Sequence, residues 1–297
     1  MGYEEGAETE LAQGTEEPYG DLSGLRRAIA GRAIYTKMAD QGLAPRTVLR
    51  YHQVLHAALH QAIRWQLLIR NPADAVEVRS AERRQIPNLS PAEVRRLLTA
   101  TDEAGIGPFV RLAVLTGLRR GELLGLTWAN VDLERASLSV SQSAQRIDGQ
   151  GIVFRQPKTR LSRRAVALSP EAVSLLRGHR RVQAEARLLA GPACEDRDLV
   201  FATGLGSSIE PSNLARSWRR VRATAGMPTL TIHDLRHVHA TLMLRGGVHP
   251  KVVSERLGHA SVNITLDTYS HVLPGLQEAA AAKLDAILAE PDLAEAR

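Results

Sequence analysis

Residues 257–272 read LGHASVNITLDTYSHV, which sets a Gly-His pair ten residues ahead of a tyrosine flanked by Thr268, Ser270 and His271. The chain is only 4% aromatic, so a tyrosine in such polar company needs a reason. It is either an amphipathic side chain with a packed ring and a wet hydroxyl, or a nucleophile. Leu257-Gly258 reads as a glycine-assisted helix end that frees His259 to project. Just upstream, residues 231–244, TIHDLRHVHATLML, separate His233 from Arg236 by one helical turn, while Leu235, Ala240, Leu242 and Leu244 supply the buried side. Both stretches are helical, and both carry polar groups that packing does not require.

Working outward, apolar periodicity predicts helices near 170–189, 211–225, 233–246, 249–257, 261–271 and 276–289. They follow ASLSVSQ, GIVFR and RAVAL, whose alternation and β-branched residues predict one small antiparallel sheet across 136–168. Two helices, about 91–103 and 107–127, come before the sheet. Ser90-Pro91-Ala92-Glu93 combines an N-cap, a proline at N1 and a capping-box glutamate, so a domain starts near Leu89 and runs to 274. Residues 79–88 read as a linker. Residues 23–78 are helical around a break at QGLAP, with Val48, Tyr51, Leu55, Leu59, Ile63 and Leu67 on one stripe and Asn71-Pro72 as a stop. Residues 1–22 read as a disordered tail, and there is no internal repeat.

The chain has 297 residues, 44% of them hydrophobic, enough for ordinary cores. No apolar run is long enough to span a membrane, and the start does not look like a signal peptide, so the expectation is a cytoplasmic protein. The single cysteine, Cys194, excludes an internal disulfide or a cysteine-based metal site. Charge is unevenly spread. Residues 1–22 hold seven acids and no base, and residues 275–297 hold five acids against Lys283 and Arg297. Removing −7 and −3 from the overall +6 leaves +16 for residues 23–274. With a sequence pI near 9.9, a body so basic suggests a polyanion, most economically nucleic acid.

Two further motifs join the pair above. In LTGLRRGELLGLTW, residues 115–128, Arg119 and Glu122 are three apart, so a helical turn puts them on one side; the carboxylate either orients the guanidinium or forms an ordinary surface pair. QPKTRLSRR, residues 156–164, reads as a basic turn between strands that presents Lys158. His233-Asp234-Leu235-Arg236-His237 is a near miss to the zinc motif His-Glu-x-x-His. Zinc is rejected because Asp is a methylene shorter than the glutamate base and no clear third ligand follows.

These motifs together resemble the boxes of the tyrosine recombinases, the phage integrase family, in the family's order and spacing across residues 89–274. Residues 43–78 resemble the core-binding domain that precedes the catalytic domain in integrases. The resemblance implies a mostly α fold with a small antiparallel sheet, behind a shortened helical, SAM-like core-binding domain. It implies Tyr269 as nucleophile, with Arg119, Lys158, His233, Arg236 and His259 as catalytic residues and Glu122 in support. None of these positions is substituted.

The implied reaction is attack of a tyrosine oxygen on a DNA phosphodiester, giving a 3′-phosphotyrosine and a free 5′-hydroxyl, with no cofactor and no metal. Guanidiniums suit the non-bridging oxygens; His259 and His233 are candidates to help the tyrosine lose its proton, and Lys158 to protonate the leaving oxygen. Partners implied are double-stranded DNA, a homotetramer on two sites, and directionality or DNA-bending factors, with no membrane and a nucleoid-associated location. Residues 275–297 are expected to dock on a neighbouring protomer. The region before the linker is shorter than the family's four-helix domain. The alternatives are a type IB topoisomerase-like enzyme and a DNA-binding remnant without recombination activity.

Overall fold

The computed structural model describes residues 33–78, 88–156 and 163–269, with five positions between 281 and 288. Residues 1–22, the stretch 79–87, Lys158 and all but those few positions of the helix expected over 276–289 lie outside the described residues. Contacts divide the chain between Gln85 and Ile86 into two compact units.

The first unit is built on α1 (Ala33–Asp40) and α2 (Pro45–Arg64). Its small core contains Tyr35, Val48, Leu59 and Leu68. The stripe expected on α2 is too wide. Tyr51 and Leu67 are 52% and 40% exposed, because α1 and the turn at Pro72–Ala75 cover only a narrow arc of α2 and Leu67 lies past its end. Asn71 performs the stop expected of it, its side chain accepting from the Ala73 N–H at 3.0 Å and donating to the His56 carbonyl.

The second unit opens with α3 (Pro91–Glu103), capped as its sequence demands: the Glu93 carboxylate accepts from the Ser90 N–H at 2.8 Å, and the Ser90 hydroxyl accepts from the Glu93 N–H at 3.3 Å. The single helix expected over 107–127 is two helices, α4 (Gly107–Thr116) and α5 (Arg120–Leu124). Gly117 breaks it at φ +67°, where a Cβ would also meet the His239 ring at 2.6 Å and Leu257 at 2.7 Å. Only glycine combines that backbone conformation with that closeness.

The expected single sheet is also two. One joins β1 (Val131–Asp132), β2 (Ser137–Ser139) and β5 (Ala165–Ala167) antiparallel, with Leu138 opposite Val166; the other is a hairpin of β3 (Ser143–Ile147) and β4 (Gly151–Arg155), with Ala144 opposite Phe154. β3 leaves the first sheet because it packs on a glycine face of α5. Added Cβ atoms at Gly121 and Gly125 would meet Ser143 Oγ at 2.5 Å and the Ala144 nitrogen at 3.1 Å, and Gln142 donates to the Gly125 carbonyl.

The remaining elements are α6 (Pro170–Ala190), α7 (Pro211–Thr224), α8 (Asp234–Arg245), α9 (Pro250–Leu257) and α10 (Val262–Tyr269), each beginning within a residue of where periodicity sets it. α4 and α8 supply the centre of the main core through Val110, Leu112, Leu235 and Val238. A satellite core of Ala240, Leu244, Val253, Leu257 and Tyr269 sits between α8, α9 and α10. The fold is mostly α with small antiparallel sheets.

Candidate active site

Arg119 stands where the broken helix restarts, at the N-cap of α5 in extended backbone. Glu122, one turn into α5, accepts from the Arg119 N–H at 2.9 Å and from its Nη1 at 2.7 Å. This is no surface pair, since Glu122 is 6% exposed. A second guanidinium, Arg164, forks onto the same carboxylate at 3.1 and 2.9 Å. Burial alone would raise the Glu122 pKa, but the hydrogen bonds and charges of Arg164 and Arg119 hold it below the usual carboxylate value.

Arg236, in the first turn of α8, is 4% exposed. Its Nη1 donates to the Gly117 carbonyl at 2.9 Å and its Nη2 to the Leu257 carbonyl at 2.5 Å. Arg119 Nη2 donates to the next carbonyl, Gly258, at 3.3 Å. Two guanidiniums, 117 positions apart in sequence, therefore meet on consecutive carbonyls of one helix end. That end turns on Gly258 at φ +67°, and the next residue is His259. Burial, then the neighbouring Arg119, push the Arg236 pKa down to about 9. The same cations act on the imidazoles. Burial and then Arg236 lower His259 to about 4, with its Nδ1 on the Thr265 hydroxyl at 2.8 Å, and the same two causes lower His233. A place that so disfavours further positive charge favours an anion.

Tyr269 ends α10, and its surroundings correct the sequence reading. The ring is 1% exposed and packed with Leu244, Val253 and Leu257. The hydroxyl is not wet. It is hydrogen-bonded to His237 Nδ1 at 2.6 Å, and burial pushes its pKa up to about 12. The imidazole that touches it is thus neither His233 nor His259; His233 stacks edge-on against His237 with centroids 5.4 Å apart.

Arg119 and His233 open into a cleft of about 650 Å³ that Arg120, Arg219 and Arg222 also line. Among the described residues, no group of three or more His, Cys, Asp or Glu side chains is placed to hold a metal ion, and no helix is long and apolar enough to cross a membrane. Sequence reading missed Arg164, His237, and the pair of half-buried Arg256 and buried His239. Arg256 Nε donates to His239 Nε2 at 3.2 Å, and His239 Nδ1 donates to the Val114 carbonyl at 2.7 Å. Arg164 lay inside a quoted motif and His237 inside another, yet nothing local marks what either one meets.

The sequence profile described as the phage integrase family matches residues 87–275. A tyrosine recombinase XerC-like protein of Caldanaerobacter subterraneus subsp. tengcongensis is 30% identical, the alignment covering 87% of this chain and 70% of that protein. The ICEBs1 integrase of Bacillus subtilis is 29% identical over 84% of this chain and 68% of its own. Among solved structures, the Tn1549 transposon integrase in complex with circular intermediate DNA superposes with a TM-score of 0.73 at 21% identity, covering 90% of this chain and 87% of that one. At that identity the likeness is one of fold, and it is the fold that carries the helix-end meeting of Arg119 and Arg236. The profile match over most of the chain and the 30% relative place it in a family: the chain belongs to the phage integrase family, the tyrosine recombinases, enzymes that cleave and rejoin DNA through a tyrosine intermediate.

Proposed function

We propose that this chain is a site-specific recombinase acting on double-stranded DNA, with Tyr269 as nucleophile and Arg119 and Arg236 as the clamp on the scissile phosphate. The observation that carries this reading is the buried Arg236, whose terminal nitrogens both donate to main-chain carbonyls. A desolvated cation that forms no direct ion pair with a carboxylate among the described residues, Glu122 acting on it only from a distance, suits a phosphate that arrives from outside.

In the proposed step the Tyr269 oxygen bonds to phosphorus and the bond from phosphorus to the 5′-oxygen breaks. The two guanidiniums take the growing charge on the non-bridging oxygens. A phenol raised to about 12 is protonated at neutral pH, so its proton must pass to a base as it attacks. His237 already holds that hydroxyl, and His259 and His233 face the phosphate, where their low proton affinity keeps them neutral. Lys158 gives the 5′-oxygen its proton. Rejoining reverses the step and needs no cofactor, because the phosphotyrosine retains the energy of the broken bond.

A ring 1% exposed is closed to a duplex, so cleavage requires α10 to shift when DNA binds. Strand exchange between two duplexes needs four cleavages, hence four protomers on two sites, with residues 275–297 docking between neighbours and with directionality or DNA-bending factors as further partners. Residues 23–78 contribute to DNA binding as a shortened core-binding domain, with 79–88 as linker, and the protein works where the DNA is, at the nucleoid. The test is a nicked duplex cut from the DNA flanking the gene, on which cleavage releases a short strand and traps the adduct. The full chain should form a covalent adduct and Tyr269→Phe should form none. An adduct in the Phe variant would remove Tyr269 as nucleophile.

A further inference from the structure

Arg164 is one of the most constrained side chains in the second unit. Its side chain is 6% exposed, as is its partner Glu122. Its Nε donates to the Arg256 carbonyl at 2.7 Å, and its Nη1 and Nη2 take both oxygens of Glu122. Gly258 closes over it so tightly that a Cβ there would lie 3.0 Å from Arg164 Cδ and Nη1. Every guanidinium nitrogen of Arg164 is thereby committed to a fixed acceptor.

That rigidity passes along a chain of contacts. Glu122 has two oxygens, and each binds both Arg164 and Arg119: Oε1 accepts from Arg164 Nη1 and Arg119 Nη1, Oε2 from Arg164 Nη2 and the Arg119 main-chain N–H. Arg119 is itself more open, its side chain 39% exposed, so its aim depends on this carboxylate. Without Arg164, the buried carboxylate would have Arg119 as its only guanidinium partner among the described residues. It would then draw Arg119 inward, away from the cleft.

We propose that Arg164 is a positioning residue for DNA cleavage: it immobilises and half-neutralises Glu122, so that Arg119 is oriented by that carboxylate without being consumed by it. The inference rests on Arg119 acting at the scissile phosphate. Lysine in place of arginine keeps the charge but cannot fork onto both oxygens, which makes Arg164→Lys the informative change.

The experiment is a double-mutant cycle of Arg164→Lys with Arg119→Ala in the full chain, reading single-turnover cleavage of the nicked duplex and, separately, its binding by gel shift. Arg164→Lys alone should slow cleavage about tenfold or more, the scale of one loosened charge-assisted contact, with affinity within about threefold of wild type. In the Arg119→Ala background the same change should cost less than about threefold, because what it positions is gone. Wild-type cleavage by Arg164→Lys, or the full loss recurring in the Arg119→Ala background, would overturn the proposal. Wild-type cleavage by Arg119→Ala alone would instead overturn the reading beneath it. Should Arg164→Lys fold poorly, the same preparations are compared on a duplex with a neutral methylphosphonate at the scissile position. The defect relative to wild type should shrink at least threefold there, and an unchanged defect on the two substrates would count against positioning.

Discussion

Replacing Arg236 with methionine separates what the fold needs from what the reaction needs. Bringing its pKa from 12.5 to about 9 means the charged form is disfavoured by on the order of 5 kcal/mol, at about 1.36 kcal/mol per unit. Against this stand two hydrogen bonds from a charged donor, each contributing about 1.5–3 kcal/mol. The opposing quantities nearly match, so Arg236→Met should change stability by less than about 2 kcal/mol in either direction. For a unit of this size that is a Tm shift below roughly 8 °C. Cleavage should nonetheless fall at least about 10²-fold, the usual scale for losing a preorganised donor to a developing oxyanion. Thermal melts and single-turnover cleavage on one preparation read both quantities. A stability loss above about 4 kcal/mol would mean that Arg236 is chiefly structural, and cleavage within tenfold of wild type would refute its place on the phosphate.

Glu122→Ala should behave in the opposite way, since it strands the buried Arg164. The expected cost is about 3–5 kcal/mol, a drop of roughly 10 °C or more in a thermal melt, and a neutral result would show that water reaches the pair. Tyr269→Phe should keep the fold within about 1–2 kcal/mol, because only the hydroxyl bond to His237 is lost; urea titration checks this. His239 is held neutral by burial first and then by Arg256, with a pKa lowered from 6.5 to about 4. Because the folded value is the lower one, its contribution is present above pH 6.5 and is lost as pH falls through 4, about 3 kcal/mol in all. Chemical denaturation from pH 7 to pH 4 should therefore show a slope in wild type that is shallower by up to one proton's worth in His239→Gln. Parallel curves would place the titration elsewhere.

How much of this was legible in the sequence depends on the range of the interactions involved. The capping box at Ser90, the stop at Asn71, the left-handed turn at Gly258 and the bounds of α6 to α10 are set by neighbours within a few residues, through helical periodicity and local hydrogen bonds, and the chain declares them directly. The resemblance of the motifs to those of the tyrosine recombinases is what grouped Arg119, Arg236, His259 and Tyr269 as one expected functional set.

Tertiary structure alone decided the rest. The break at Gly117 arises because His239 and Leu257, more than 100 residues downstream, leave no space for a Cβ. The sheet splits because β3 finds the glycine face of α5, a contact that strand propensity does not encode. Glu122 becomes a buried hub rather than a surface partner because Arg164 reaches it from 42 residues away. Tyr269 reads as wet from its neighbours in sequence, yet it is dry, because α8, α9 and α10 close a core around it and bring His237 from 32 residues away to its hydroxyl. Sequence neighbours determine which backbone conformation a residue adopts; burial and electrostatics depend on what packs against it, and that is settled only when distant segments meet.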